Sequence, residues 1–115
     1  MPGSKIRQVD PDLTVVELTG HLHLGNELMT VEASVKGIID EGARKLVIDV
    51  TRLDYIDSAG IGRLVACNGR IEKAGGKMRV SGAQGSVAKT FEVVHMDLIT
   101  SLDPDLDSAC RNLSA

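Results

Sequence analysis

The sequence contains almost no aromatic side chains. Tyr55 and Phe91 are the only aromatic residues among 115, and tryptophan is absent. Proteins that bind single-stranded nucleic acid stack the bases on several aromatic rings, so this class of protein is disfavoured. A length of 115 residues fits one domain, which we expect to span residues 1–115 with an ordered part of about 5–112. Because 43% of the residues are apolar, this domain can have an aliphatic core.

The chain also lacks a run of basic residues. It has 13 Lys and Arg against 16 Asp and Glu, which gives a net charge of -3. Nucleic-acid-binding domains usually carry a basic patch, because contacts with phosphates dominate their affinity. We therefore expect no direct binding to nucleic acid.

Cysteine patterns and long apolar runs are missing as well. Cys67 and Cys110 lie far apart and form no C-x-x-C pair, which excludes the motifs of zinc ribbons and thioredoxin-like redox sites. No apolar run reaches the roughly 18 residues of a membrane span, and the first residues lack the apolar part of a signal peptide. We expect a cytoplasmic protein that does not enter a membrane and keeps both thiols reduced.

Strand-like and helical patterns alternate along the chain. Pro11 and Asp12 predict a turn after the first strand. The apolar run of the third strand indicates that both of its faces are covered. Asp103 is expected to cap the last helix, and Pro104 to begin it. The predicted strands are 5–9, 13–19, 45–50, 77–81 and 99–102, and the predicted helices are 28–41, 61–74, 86–94 and 104–112.

The predicted order of elements is therefore ββαβαβαβα. Strand and helix alternate from the third strand onward, which favours crossover connections and a parallel sheet. The first two strands form a hairpin and add one antiparallel edge. The predicted fold class is a single α/β domain with a mixed, mainly parallel sheet and helices.

The most informative segment is 57–62, Asp-Ser-Ala-Gly-Ile-Gly, which follows the third strand and opens a helix. In its simplest interpretation, Asp57 or Ser58 caps the helix and Gly60 eases a tight turn. In a functional interpretation, Ser58 accepts a phosphate, which the helix N-terminus would tolerate. The added charge would oppose binding of a partner, especially beside Asp54 and Asp57.

Four segments together resemble the STAS domain, and in particular bacterial anti-sigma factor antagonists. The resemblance extends from about Lys5 to Ala109 and is most specific at the Asp-Ser-Ala-Gly-Ile-Gly block. The segments are 18–22 (Leu-Thr-Gly-His-Leu), 45–50 (Lys-Leu-Val-Ile-Asp-Val), 53–62 (Leu-Asp-Tyr-Ile-Asp-Ser-Ala-Gly-Ile-Gly) and 74–78 (Ala-Gly-Gly-Lys-Met). The STAS fold also agrees with the predicted order of elements.

The resemblance implies a function without catalysis and without a cofactor. In that family the unphosphorylated antagonist binds an anti-sigma factor that is a serine kinase, and this binding frees the sigma factor. The kinase then phosphorylates the antagonist and the complex dissociates, until a protein serine phosphatase removes the phosphate. The phosphorylated serine of the family corresponds to Ser58, and its acidic neighbour corresponds to Asp57.

The same resemblance implies a partner-binding surface and reveals two departures from the family pattern. The family often has a second serine at the position of Ala59, and often an acidic residue at the position of His23. The first loop borders the partner surface in the family, so His23 bears on partner choice. The implied partner-binding residues are Asp57, Ser58, Ala59, Gly60, Ile61, His21 and His23.

Other motifs are incomplete. His21 and His23 could face the same side of an extended segment, but no third and fourth metal ligand accompanies them. Segment 82–86 (Gly-Ala-Gln-Gly-Ser) could cradle a phosphate, but the chain has no Walker A motif. Ser58 also does not stand in the G-x-S-x-G context of a hydrolase nucleophile.

Two alternatives to the phosphorylation switch stay open. The first is a STAS module that acts as a non-switching scaffold in a larger signalling or transport assembly. The second is a domain that binds a small molecule or a nucleotide through the Gly-rich segment 82–86. Phosphorylation of Ser58 separates the switch from both of them.

Overall fold

The fold is built from five strands and four helices in the order predicted. The computed structural model describes residues 3–22 and 26–114. The strands are β1 Gly3–Asp10, β2 Leu13–Leu22, β3 Lys45–Ile56, β4 Lys77–Ser81 and β5 Ser101–Asp103. The helices are α1 Asn26–Asp40, α2 Ser58–Lys73, α3 Gly85–Val93 and α4 Leu106–Ser114, with a short 3₁₀ helix at Met96–Leu98.

The strands form a single sheet in the spatial order β1-β2-β3-β4-β5. β1 pairs with β2 antiparallel, and every later pair is parallel. The predicted mixed sheet with one antiparallel edge is thus confirmed. The predicted turn is also present, where the Asp10 carboxylate accepts a hydrogen bond from the Leu13 N–H at 3.1 Å.

The two faces of the sheet carry separate apolar clusters. On one face, side chains such as Val16 and Ile48 pack against α1, α2 and α3. On the other face, Leu13, Val15 and Val47 pack against α4. Strand β3 is therefore buried on both sides from Leu46 to Val50, as its uninterrupted apolar run predicted. Among the helices of the described residues, none is long and apolar enough to cross a membrane.

Strand β3 is longer than predicted. It was expected to end at residue 50, but it continues to Ile56 and pairs along 52–56 with the end of β2. In this continuation Leu53 and Ile56 are buried, whereas Arg52, Asp54 and Tyr55 are exposed. Because most of the exposed positions here are polar, the sequence of this stretch resembles a loop. Strand β2 is likewise longer than predicted, since it runs to Leu22 and not only to residue 19.

The start of the last helix was also predicted wrongly. Asp103 is the final residue of β5 and binds Arg79, so neither Asp103 nor Pro104 lies at the helix start. Helix α4 begins at Leu106, and the Asp105 carboxylate accepts a hydrogen bond from the Ser108 N–H at 2.8 Å. Asp103, Asp105 and Asp107 could each cap a helix by the same chemistry. Because Asp103 binds Arg79, it is not available as the cap, and Asp105 takes that role.

Candidate functional site

Asp57 joins the end of β3 to the start of α2. Its backbone is extended, with φ -107° and ψ -176°, and its Oδ1 accepts a hydrogen bond from the Gly60 N–H at 2.9 Å. Its carbonyl oxygen accepts the first helical bond, from the Ile61 N–H, also at 2.9 Å. Asp57 is therefore the helix cap, and the carboxylate beside Ser58 is held in one place.

Ser58 is the first residue of α2, and its side chain is exposed. The first N–H groups of a helix have no partner within the helix, and they give this end a partial positive charge. No acidic residue lies within the first turn of α2. A phosphate on the hydroxyl would therefore remain in solvent, at the end of the helix that favours negative charge.

The next three residues differ from Ser58 in exposure. Ala59 is half-buried, Gly60 is buried, and Ile61 belongs to the main apolar cluster with 7% exposure. Their burial leaves Ser58 as the residue of this turn that faces solvent. Gly60 and Ile61 thus fix the turn to the core, and little of either side chain is open to contact.

Exposed groups from β3 lie on the chain just before Ser58. Tyr55 is 44% exposed, and it is one of only two aromatic residues in the sequence. Arg52 and Asp54 are exposed on the same stretch. On the other side of Ser58, one turn along α2, Gly62 is exposed and has no atom within 4 Å of where a Cβ would stand.

The two histidines of the implied partner surface differ in how far the structure describes them. The backbone of His21 lies in β2 and pairs with Tyr55 of β3. The end of β2 is thereby next to the segment that leads into Ser58. His23 lies outside the described residues.

The described residues contain no cluster of potential metal ligands, and both cysteine thiols have a raised pKa. No group of three or more His, Cys, Asp or Glu side chains comes together there to hold a metal ion. Burial raises the pKa of the Cys67 thiol to about 11, which keeps it protonated at neutral pH. The pKa of the Cys110 thiol is also raised, mainly by burial and then by the charge of Asp107.

The Gly-rich segment 82–86 packs against β3. Gly82 has φ +80°, and a Cβ on it would collide with the Thr51 hydroxyl oxygen. The side-chain amide of Gln84 donates to the Thr51 carbonyl at 2.8 Å, and the Ser86 hydroxyl donates to the Asp54 carbonyl at 2.9 Å. The polar side chains of this segment are thus engaged with β3, which disfavours its use as a nucleotide cradle.

A groove of about 440 Å³ lies elsewhere, along the β5 edge of the sheet. It is lined by the second half of α2, the start of β4, the 3₁₀ helix and the end of α4. Asn68, Arg79 and Thr100 are among its lining residues, whereas Ser58 and segment 82–86 are not. The groove is therefore separate from the segment that the sequence singled out.

Comparison with known proteins agrees with this arrangement. Residues 4–109 match the STAS domain family. A protein of Bordetella bronchiseptica, BtrV, whose name describes it as a candidate anti-sigma factor antagonist, is 30% identical over 63 residues, which are 55% of this chain and 54% of BtrV. The match thus spans about half of the length of that relative.

Solved structures share the fold over nearly the whole chain. An anti-sigma factor antagonist from Mycobacterium paratuberculosis has a TM-score of 0.89 at 19% identity, with 100% of this chain and 96% of that chain covered. The antagonist SpoIIAA in its unphosphorylated form has a TM-score of 0.84 at 18% identity, with 97% and 96% covered. The family match, the sheet order and the capped serine turn agree, and the chain belongs to the STAS domain family.

Proposed function

We propose that this protein is an anti-sigma factor antagonist that is switched by phosphorylation. Its unphosphorylated form binds an anti-sigma factor serine kinase in the cytoplasm, and this binding releases the sigma factor. Phosphorylation of Ser58 ends the binding, and a protein serine phosphatase restores it. In this role the protein acts by binding and carries out no catalysis of its own.

The observation that carries the proposal is the position of Ser58 at the solvent-facing start of α2. The neighbouring cap is made by Asp57, whose carboxylate binds the Gly60 N–H. The hydroxyl of Ser58 can therefore be modified while the cap stays intact. The names of BtrV and SpoIIAA support the same assignment.

The proposed surface for the kinase surrounds this turn. It comprises exposed Ser58, half-buried Ala59 and the carboxylate of Asp57, together with the end of β2 that contains His21. His23 is part of the same proposal, since it follows His21 by two residues. Tyr55, whose backbone pairs with that of His21 and which is 44% exposed, would supply apolar contact area.

Electrostatics can account for the switch without refolding of the domain. A change from nearly complete binding to nearly complete release requires a differential affinity of about 5.5 kcal/mol. Like charges placed together in an interface cost several kcal/mol. A phosphate on Ser58, close in sequence to Asp54 and Asp57, can supply much of this difference when a partner removes water from the site.

The proposal is tested by incubating the protein with ATP and each serine kinase of the anti-sigma class from the same genome. Intact mass and peptide mapping should find one phosphate, located on Ser58. Ser58→Ala should remain unmodified, whereas Ser101→Ala, which removes an exposed serine of β5, should be modified like the wild type. Absence of phosphate with every kinase would contradict the proposal and would favour a non-switching scaffold.

A further inference from the structure

The second half of β3 has a strand partner on only one side. β4 ends at Ser81, which pairs with Asp49, whereas β3 continues to Ile56. Beyond Thr51 the edge of β3 that faces β4 therefore has no neighbouring strand among residues 3–22 and 26–114, and β2 pairs with the opposite edge. This continuation leads directly to Asp57 and Ser58.

The pairing of this continuation with β2 is also irregular. Its register shifts between Glu17 and Thr19 of β2, and again between Gly20 and His21. At the second shift, Gly20 pairs with Leu53 and His21 with Tyr55, so that Asp54 is an additional residue in β3. Bulges of this kind bend a strand and interrupt its hydrogen bonds. The end of β3, which leads to Ser58, is thus held less regularly by β2 than the first half of the strand is.

Two side chains, one from Gln84 just before α3 and one from Ser86 in the first turn of α3, bind backbone carbonyls of this part of β3. Gln84 donates from its amide nitrogen to the Thr51 carbonyl at 2.8 Å. Ser86 donates from its hydroxyl to the Asp54 carbonyl at 2.9 Å. Gln84 is the residue that precedes α3, yet its side chain makes no capping bond to that helix. The hydrogen bond from the Gln84 side chain to β3 therefore does not arise from capping of α3.

The segment that presents these two side chains is itself held against β3. The buried carboxylate of Asp49 accepts hydrogen bonds from the Ser81 hydroxyl at 2.9 Å and the Thr51 hydroxyl at 2.7 Å. The Gly82 N–H donates to the Asp103 carbonyl at 3.1 Å. Gly82 itself lies so close to Thr51 that its missing Cβ would collide with the hydroxyl.

We propose that Gln84 and Ser86 are positioning residues for Ser58. By binding the carbonyls of Thr51 and Asp54, they fix the end of β3 and, through it, the turn at Asp57 that presents the serine. The consequence for phosphorylation rests on the proposed function. The positioning itself is a property of the isolated domain, so it can be measured without a partner.

Amide hydrogen exchange of the full chain tests the positioning. In Gln84→Ala and in Ser86→Ala, the protected amides of residues 51–60 should exchange about fivefold faster for each bond lost. The amides of α3 should keep their wild-type rates, and Ser86→Thr, which retains a hydroxyl, should restore slow exchange. Unchanged rates at 51–60, or equal acceleration throughout α3, would overturn the inference.

Two matched controls lose a similar bond elsewhere. Gln8→Ala removes an amide bond to the Pro11 carbonyl at 3.1 Å, and Thr90→Ala removes a hydroxyl bond to the Ser86 carbonyl at 3.0 Å. Neither variant should accelerate exchange at residues 51–60. Acceleration there in either control would show that the segment responds to any loss of stability, which would also overturn the inference.

Phosphorylation kinetics supply a second readout that depends on the kinase. Gln84→Ala and Ser86→Ala should lower kcat/KM for phosphorylation of Ser58 severalfold, and Thr90→Ala should leave it unchanged. Equal kcat/KM for all three variants would contradict a role in presenting the serine. The exchange measurement decides the positioning alone, so failure to find any kinase would count against the proposed function and not against this inference.

Discussion

Asp57 and Ser58 perform different tasks although they are adjacent. The Asp57 carboxylate is engaged in the cap of α2 through the Gly60 N–H. Ser58 is exposed, so its side chain contributes little to packing. The fold therefore depends on the first residue, and the proposed regulation depends on the second.

Stability measurements on single variants should separate these two tasks. Asp57→Ala should lower the free energy of unfolding by ~1 kcal/mol, because a helix cap is lost. Ser58→Ala should change it by less than about 0.5 kcal/mol, as expected for an exposed position. Urea denaturation measures both values, and Asp57→Asn, which can still cap the helix, is the control. Equal destabilisation by Asp57→Ala and Ser58→Ala would refute this division.

Gly82 and Gly85 form a second contrast at the scale of residues. Both have a positive φ, +80° and +56°, but only Gly82 has atoms where a Cβ would stand. Gly85→Ala should therefore lower the free energy of unfolding by ~1 kcal/mol, which is the cost of the left-handed conformation. Gly82→Ala adds a collision with Thr51 and should lower it by about 2–4 kcal/mol. If urea denaturation shows an equal loss of the free energy of unfolding in both variants, the Thr51 side chain can move away from Gly82 without an energetic cost.

At the scale of elements, Glu32 connects α1 with α2. Its carboxylate binds Arg63 at 2.5 Å and Arg70 at 3.3 Å, and its side chain is 17% exposed. Loss of hydration raises the pKa of Glu32, but the two arginines outweigh this effect and hold the pKa below its usual value. The same two arginines line a surface groove beside α1.

The pKa shift of Glu32 predicts how stability depends on pH. Because the pKa is lower in the folded state, the pairing stabilises the protein above the unfolded pKa and is lost as the pH falls through the folded pKa. Glu32→Gln should therefore be less stable than the wild type at neutral pH by ~1 kcal/mol. The difference should shrink towards about pH 3 in urea denaturation.

A matched control for Glu32 is available on α1. Lys36 and Asp40 form a pair at 3.0 Å, but both side chains are more than half exposed, at 60% and 64%. Asp40→Asn should therefore change stability by less than about 0.5 kcal/mol. A pH-independent effect of Glu32→Gln, or an equal effect of Asp40→Asn, would contradict the assignment.

Elements were predictable from the sequence where local pattern and tertiary environment agreed. The uninterrupted run of β3 predicted a strand covered on both faces, and residues 46–50 are indeed buried. The sequence does not indicate the continuation of β3 to Ile56. This continuation pairs with the end of β2, so it depends on how far β2 extends, and its apolar residues do not alternate regularly with polar ones. The sequence around Asp103 favours a helix cap, because the binding of Asp103 to Arg79, 24 residues away in the chain, has no local signature.

The candidate site shows the same limit. The helix start could be predicted, with either Asp57 or Ser58 as its cap, since a helix start is encoded within a few residues. The support from Gln84 and Ser86 could not, because these side chains reach back 33 and 32 residues to backbone carbonyls. From the sequence alone, segment 82–86 was an alternative ligand site. Its polar groups are instead engaged with the strand that leads to Ser58.

At the scale of the whole molecule, the site lies at the carboxyl ends of the parallel strands. β3 and β4 run in the same direction, so the turns that follow them, at Asp57 and at 82–86, come to the same end of the sheet. The core lies on the two faces of the sheet behind these turns. A phosphate at Ser58 can thus alter a binding surface while the packed domain stays unchanged.

We expect the amide spectrum of the phosphorylated protein to change only near residue 58. Two-dimensional NMR of the protein before and after phosphorylation should show shifted amides in residues 54–62. The amides of α4, which packs on the opposite face of the sheet at Leu13 and Val47, should keep their positions. Widespread shifts that include α4 would indicate a global rearrangement and would contradict a local electrostatic switch.

The most direct test of the central claim is the affinity of Ser58 variants for the kinase, measured by calorimetry. Ser58→Ala should bind like the unmodified wild type and should stay bound when ATP is added. Ser58→Asp, which places a negative charge at the same position, should bind at least about tenfold more weakly. If both variants bind the kinase with equal affinity, the charge at Ser58 does not control the complex, and the proposed switch is wrong.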